Sequence, residues 1–165
     1  MKRLLLWSLG LTAMVLLTLT ACSKQDDFTE KDAIKLGTAY KETQYNVKQE
    51  NWTDEQDAVN ERLKPFLTSD RYDKLLKNRE GYHPIYMANL LKSTISLRSV
   101  SFKPDENAEE NTFEFFYTLD FLITNENGKA EVQKTGQMGF KKENGAWKIY
   151  RDSDEKLLEK EFPSK

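Results

Sequence analysis

The side chains of this 165-residue chain that could do catalysis form no recognisable catalytic motif. The single histidine, His83, stands in a Gly-Tyr-His-Pro turn beside a predicted helix end, where surface or packing roles are usual. Asp120 lies in the middle of a predicted strand, where a buried carboxylate could serve as a general base. Its place in the alternating pattern puts it opposite the aromatic residues of that strand, on a face where it is solvated or meets a partner. We therefore predict no catalytic residue and no enzyme.

Acidic residues are concentrated in the turn 105–110, and carboxylate oxygens are the ligands that Ca²⁺ prefers. The segment lacks the alternating ligand positions and the central glycine of a calcium loop. We therefore predict a solvated hairpin tip there, with no metal site and no cofactor.

The only cysteine of the chain lies at the end of an N-terminal apolar segment. Residues 1–3 are positively charged, and residues 4–20 are apolar without a charge. This run fits a signal peptide and is short for a membrane-spanning helix, which needs about 20 apolar residues. A polar segment, residues 23–27, follows at once. The cysteine itself closes the sequence Leu19-Thr20-Ala21-Cys22.

This four-residue sequence resembles the lipobox of bacterial lipoproteins, in which an aliphatic residue and two small residues precede the cysteine. The resemblance implies that the Cys22 thiol receives a diacylglycerol and that signal peptidase II cleaves before it. Two acyl chains anchor a protein stably, whereas one binds a membrane marginally. We expect a signal peptide at residues 1–21, a lipidated tether at 22–28 and a single domain at 29–165.

The composition of the mature chain limits its partners. Cleavage removes Lys2 and Arg3, which leaves 23 basic and 27 acidic residues and a formal charge of −4. Nucleic acid is therefore not expected as a partner, because phosphate binding needs a basic face. Without a second cysteine the domain has no disulfide and depends on its hydrophobic core. The expected location is the cell membrane, with the lipid on Cys22 as anchor and the domain outside the cytoplasm.

The first half of the domain has the periodicity of helices. Thr29 is a predicted cap for a helix that ends near Lys48. A capping box at residues 53–56 begins a second helix that stops or kinks near Pro65. A third, short helix is predicted from Ser69 to before Gly81. Residues 84–92 fit either a short helix or an irregular crossing segment.

The second half has the alternation of strands. In the clearest strand, 112–124, apolar residues occupy every second position from Phe113 to Ile123. Asn127-Gly128 and Asn144-Gly145 predict tight hairpin turns. Gly136 and Gly139 predict bulges or a sharp bend. The four predicted strands are 94–102, 112–124, 129–142 and 146–150.

Helices followed by an antiparallel meander indicate an α+β domain. The long aromatic strand, the glycine-broken strand after it and the ending Gly145-Ala146-Trp147-Lys148-Ile149 are similar to the nuclear-transport-factor-2-like, or cystatin-like, cone. The likeness covers residues 30–152. It implies N-terminal helices packed on a curved antiparallel β-sheet. That superfamily includes isomerases and dehydratases with a carboxylate inside the cone, and extracytoplasmic parts of secretion and conjugation machines.

Two groups of residues are candidates for binding. The aromatic residues of the helical half could line a pocket in the cone or simply pack the core; Tyr40, Trp52 and Tyr86 represent them. On the outer face of strand 112–124, Phe116 and Leu122 flank Asp120 among polar residues. Exposed apolar side chains there indicate a protein contact or a homodimer, unless the first strand covers them.

These observations favour a membrane-anchored extracytoplasmic lipoprotein that acts as a non-enzymatic protein-interaction or assembly module, for example in a secretion or conjugation system. Its partner would be another envelope protein or a second copy of itself. The alternative is a protein that binds or senses a small apolar ligand in the cone pocket. An interaction module should expose an apolar patch, a carrier needs an open aromatic cavity, and an enzyme needs a carboxylate inside the cone.

Overall fold

The computed structural model describes residues 28–46 and 52–164, with side chains described over 28–46 and 57–164. The predicted signal peptide and Cys22 lie outside the described residues. The predicted fold class is confirmed: helices pack on a curved, four-stranded antiparallel sheet in an α+β domain. No helix among the described residues is long and apolar enough to cross a membrane.

Four α-helices form the first half of the domain. They are α1 (Glu30–Tyr45), α2 (Trp52–Leu63), α3 (Ser69–Asn78) and α4 (His83–Leu90). Thr29 caps α1 as predicted, in a reciprocal capping box with Asp32. The helix ends at Tyr45, earlier than expected, and Asn46 Oδ1 accepts a hydrogen bond from the backbone N–H of Leu97 in the sheet.

The connections between the helices follow the proline positions. The chain leaves α2 through a short 3-10 turn, Lys64–Phe66, at the predicted proline break. Thr68, one residue before the predicted start, caps α3 by accepting from the Arg71 backbone N–H. The ambiguous segment 84–92 is largely helical. Pro84 is tolerated there because it occupies the first turn of α4, where its missing N–H costs nothing.

The strands follow one another in a meander, in the order β1-β2-β3-β4. Their bounds are β1 (Thr94–Pro104), β2 (Phe113–Asn125), β3 (Gly128–Glu143) and β4 (Ala146–Asp154). The turn Asn144-Gly145 is confirmed, with both residues at positive φ. The other hairpin is centred one residue earlier than predicted, at 126–127 between the paired Asn125 and Gly128.

A bulge lies between Gly139 and Phe140, at one of the two predicted glycines. Gly136 serves a different purpose, because the ring of Tyr117 lies directly against its α-carbon and leaves no room for a side chain. The sheet also extends further than expected: β4 runs to Asp154, four residues past the predicted end at Tyr150.

The core lies between the helices and the inner face of the sheet. The alternating residues of β2 form its floor, and Leu119 and Ile123 are completely buried. The helix α1 approaches closest at Gly37, where an added Cβ would lie 2.8 Å from the Phe102 ring and 2.9 Å from Met138 Sδ. This close approach brings the next turn of α1, with Lys41, against the inner face.

Candidate functional site: a buried ion cluster between helix and sheet

A lysine and two aspartates meet inside the core. Lys41 lies on the buried stripe of α1, while Asp152 and Asp154 are two residues apart on β4 and both point inward. Lys41 Nζ lies 2.8 Å from Asp152 Oδ2 and 2.9 Å from Asp154 Oδ2. The side chain of Lys41 is completely buried, and that of Asp152 is 2% exposed. The cluster therefore joins the first helix to the last strand.

Three neutral side chains complete the hydrogen bonding of the cluster. Gln44 Oε1 accepts the third hydrogen bond of the Lys41 ammonium at 3.1 Å. The Tyr117 hydroxyl donates to Asp152 Oδ1 at 2.8 Å, and the Tyr45 hydroxyl donates to Asp154 Oδ2 at 2.5 Å. Because an ammonium group has three donors, the lysine is fully satisfied. It also lies 4.8 Å above the centre of the Tyr117 ring.

A second cation borders the cluster from the helical side. Arg71 of α3 pairs with Glu80, and its Nη2 donates to the backbone carbonyl of Asp152 at 3.2 Å. Two buried polar atoms, the Tyr40 hydroxyl oxygen and Nε of Arg71 itself, have no hydrogen-bond partner within the described part of the chain.

Burial and charge shift the pKa values of the cluster in different directions. Burial raises the pKa of Asp152 above its usual value, against the opposing effect of Lys41. Burial also acts to raise the pKa of Asp154, but the Lys41 charge and the Tyr45 hydroxyl outweigh it and hold that pKa low. For Lys41 the penalty of burial is outweighed by the two carboxylates, which raise its pKa. The lysine is therefore held as a cation inside the core.

In this cluster one ammonium group is paired with two carboxylates. Both carboxylate oxygens of Asp152 are held by protein donors, Oδ1 by Tyr117 and Oδ2 by Lys41. Abstraction of a substrate proton by this carboxylate would first require these contacts to break. Paired, hydrogen-bonded charges are the form in which proteins retain ions in a core. The cluster is thus built to fix α1 against β4.

A polar cleft of about 430 Å³ borders the cluster on its solvent side. Asp154 is 17% exposed and is the most accessible of the three charged residues. No group of three or more histidine, cysteine, aspartate or glutamate residues in the described ranges could hold a metal ion. The cleft is lined by Asn78, Glu80, Asp152, Ser153, Asp154 and Lys156.

Of the three predicted aromatic residues, the structure describes the side chains of Tyr40 and Tyr86, and these lie in different surroundings. Tyr40 is completely buried, with its ring near Phe66 and 5.3 Å from Lys41 Nζ. Tyr86 is 45% exposed on α4, beside Tyr82. The backbone of Trp52 begins α2, and its side chain lies outside the described part.

The predicted residues of the sheet lie together on the outer face of β2. Phe116 is 43% exposed and Leu122 is half-buried, with β1 alongside them in the sheet rather than over them. Asp120 lies between them on this face and accepts hydrogen bonds from Ser99 and Gln133, which lower the pKa of its carboxyl group. His83 lies in the first turn of α4, where burial lowers its pKa.

The ion cluster was not predicted from the sequence, although two signals for it exist. Lys41 follows Gly37 by four residues and so falls on the buried stripe of α1. Asp152 and Asp154 share one face of a strand, but the expected strand ended at Tyr150 and left both in a charged tail. Extending β4 by simple alternation would not have placed them inward, because Ile149 is buried and alternation from it points residues 151 and 153 toward the core. The register shift opposite Gly139 and Phe140 adds one residue to β4 and turns Asp152 and Asp154 toward this lysine.

Comparisons with known proteins show similarity in fold. No protein-family description matches the chain, and no curated protein matches it significantly. The periplasmic domain of DotI aligns with a TM-score of 0.55 at 9% identity, over 78% of this chain and 96% of that one. CagV, a VirB8 homolog of the T4SS from Helicobacter pylori strain 26695, gives 0.52 at 8% identity, over 75% and 96%.

A third structure comes from a Gram-positive source. TraH of the conjugative plasmid pIP501 aligns with a TM-score of 0.51 at 16% identity, over 78% of this chain and 95% of that one. The chain thus shares its arrangement of helices and sheet with nearly the whole of each of these domains.

Proposed function

We propose that the protein is a lipid-anchored extracytoplasmic module that binds other envelope proteins and takes part in assembling a secretion or conjugation system. In this proposal the lipid on Cys22 holds the domain at the outer face of the cell membrane. The domain has no catalytic role, and the ion cluster between α1 and β4 serves stability. The exposed apolar side chains bind the partner.

One observation carries this proposal, namely the contrast between the interior and the exterior of the domain. In the part of the chain that the structure describes, the ion cluster and aromatic rings lie between α1 and the sheet, whereas a carrier would need an open aromatic cavity there. Large apolar side chains instead reach the solvent. The exposed large apolar residues are Leu76, Tyr86, Leu90, Phe116 and Leu158. Isolated ones are ordinary, so the proposal rests on Tyr86 and Leu90, which lie four residues apart on one face of α4, and on Phe116 of the outer sheet face.

The shared fold supports the proposed role in a secretion or conjugation system. CagV is a VirB8 homolog of the T4SS. The DotI structure is that of a periplasmic domain, and TraH comes from a Gram-positive conjugative plasmid. The fold therefore occurs in a T4SS protein and in a protein of a conjugative plasmid. Because fold alone does not give function, the likeness supports the proposal only together with the packing between α1 and the sheet and the exposed apolar side chains.

Site-specific photocrosslinking in intact cells tests the proposal. A photoreactive residue is placed at Phe116 in one strain and at Tyr86 in another, and at the exposed Glu126 as the matched polar control. We expect at least one apolar position to give a reproducible adduct with an envelope protein or a second copy, and the control to give none. Labelling at neither apolar position, together with a copurifying small apolar molecule, would contradict the proposal and favour a carrier.

A further inference from the structure

The C-terminal segment, residues 155–164, crosses the inner face of the sheet, and we call it the strap. Among the described residues β4 pairs only with the second half of β3, from Gly136 onward. The first half of β3 therefore has no strand beside it on that edge. The strap turns inward here, after a last ladder-like bond from the Glu155 N–H to the Thr135 carbonyl at 3.1 Å.

One ion pair holds the strap to the inner face. Lys134 of β3 is paired in register with Leu119, a completely buried residue, so its side chain points toward the core. Its Nζ lies 2.6 Å from Glu161 Oε1, and the lysine side chain is only 7% exposed. A buried ammonium left without its carboxylate would be strongly unfavourable. Whatever covers this part of β3 must therefore supply an acidic group.

Two apolar side chains and hydrogen bonds to the Pro163 carbonyl complete the attachment. Leu157 is 1% exposed and Phe162 is 5% exposed, and both belong to the core cluster. Asn125, at the end of β2, donates from Nδ2 to the carbonyl of Pro163 at 3.0 Å. The strap thus offers a carboxylate directly followed by an aromatic side chain, with a second apolar residue four positions before the carboxylate.

We propose that the strap is an internal ligand of a docking groove on the inner face of β2 and β3. The groove accepts, in place of the strap, a partner segment in which an acidic residue is followed directly by an aromatic one. In this groove Lys134 pairs with the carboxylate of the partner segment, and the aromatic side chain takes the buried position of Phe162. This inference rests on the proposed interaction role and names the chemistry of one partner.

A labelled peptide with the sequence of residues 155–164 tests the groove without any cellular partner. Its binding is measured by fluorescence anisotropy against the full-length protein and against the full-length Glu161→Gln/Phe162→Ala variant, whose own strap is weakened. We expect at least about tenfold tighter binding to the variant, because the tethered strap competes at a high effective concentration in the wild type. Equal binding to a folded variant would overturn the proposal.

Two matched changes separate recognition from general loosening. Adding Lys134→Gln to the variant should remove peptide binding, whereas Lys129→Gln, at an exposed position of the same strand, should leave it intact. Binding that persists without Lys134 would refute carboxylate recognition. Absence of the cell crosslinks together with a copurifying small apolar molecule would contradict the proposed function and leave these peptide results standing, so the two can be told apart.

Hydrogen exchange on the wild type covers the case of a variant that does not fold. A displaceable strap should open separately, so the amides of 157–162 should exchange faster than those of β2 while β2 remains protected. Exchange of the strap only together with β2 would show that the segment is an inseparable part of the core, which is incompatible with the proposal.

Discussion

Lys41 is the side chain on which the ion cluster depends. Its ammonium group donates to Asp152, Asp154 and Gln44, so three separate acceptors rely on a single charge. Two carboxylates so close together in a core are tolerable only with a cation between them. Position 41 should therefore be much more sensitive to substitution than other lysines of the same helix.

Replacing Lys41 with methionine tests this dependence. The side chain keeps its length and loses its charge, which removes the ammonium partner of two carboxylates, while Arg71 Nη2 remains 3.9 Å from Asp152 Oδ2. We expect the free energy of unfolding to fall by about 3–5 kcal/mol, the typical cost of breaking a buried ion pair by removing one partner. Urea unfolding followed by circular dichroism measures it. Lys35→Met, at an exposed position of α1, is the control; a similar small loss in both variants would show that the cluster contributes little.

Among the elements, the approach of α1 to the sheet is set by Gly37. The rings and sulfur atom around it belong to Phe102, Met138 and Phe140, at 2.8–3.1 Å from the position of an added Cβ. We expect Gly37→Val to destabilise the domain by about 1–3 kcal/mol through overpacking. Thermal unfolding compares it with Glu42→Val, which places the same side chain on the exposed face of the helix. Equal stability of the two variants would mean that α1 can lift away without cost.

The strap gives an element-scale prediction about pH. The Lys134 contact holds the folded-state pKa of Glu161 below its ordinary value of 4.5, although burial opposes this. The contribution of the ion pair is therefore complete above pH 4.5 and is lost as the pH falls through the lower, folded-state pKa. The stability difference between the wild type and Glu161→Gln should be constant near neutrality and shrink below pH 4.5. Urea unfolding at a series of pH values measures it, and a difference that grows on acidification would contradict the assignment.

The elements also show how much can be predicted from the sequence. The aromatic alternation of β2 and the cap at Thr29 are local patterns, so both were predicted correctly. The end of β4 was not, because Asp152 and Asp154 are poor strand residues by composition and are stabilised there by Lys41, 111 and 113 residues away in sequence. The outer position of Asp120 was predicted from the alternation of side chains along the strand. The ion cluster could not be predicted in this way, because it depends on a contact between the first helix and the last strand.

At the scale of the whole molecule, Phe28 places the start of the domain at one end of the sheet. Phe28 stacks on Trp147 at 4.7 Å between ring centres and meets Phe113 edge-on at 5.6 Å. These residues lie at the starts of β4 and β2, so the tether leaves from that end. Cys22 precedes Phe28 by six residues, a reach of at most about 20 Å. With lipid on Cys22, as proposed, this end stays near the membrane and the turn at 126–127 is directed to the opposite end of the domain.

The anchor itself can be tested with one substitution and one neighbouring control. Cys22→Ala removes the only thiol that could carry the diacylglycerol, and the proposed peptidase requires that modified cysteine. We expect the variant to lose labelling by a radioactive fatty acid and to accumulate as the uncleaved precursor, about 2 kDa larger on a gel, since 21 residues are retained. Ser23→Ala, the adjacent position, should be labelled and processed normally. Normal cleavage of Cys22→Ala would rule out lipidation at this residue, and the domain would then need another means of attachment to the membrane.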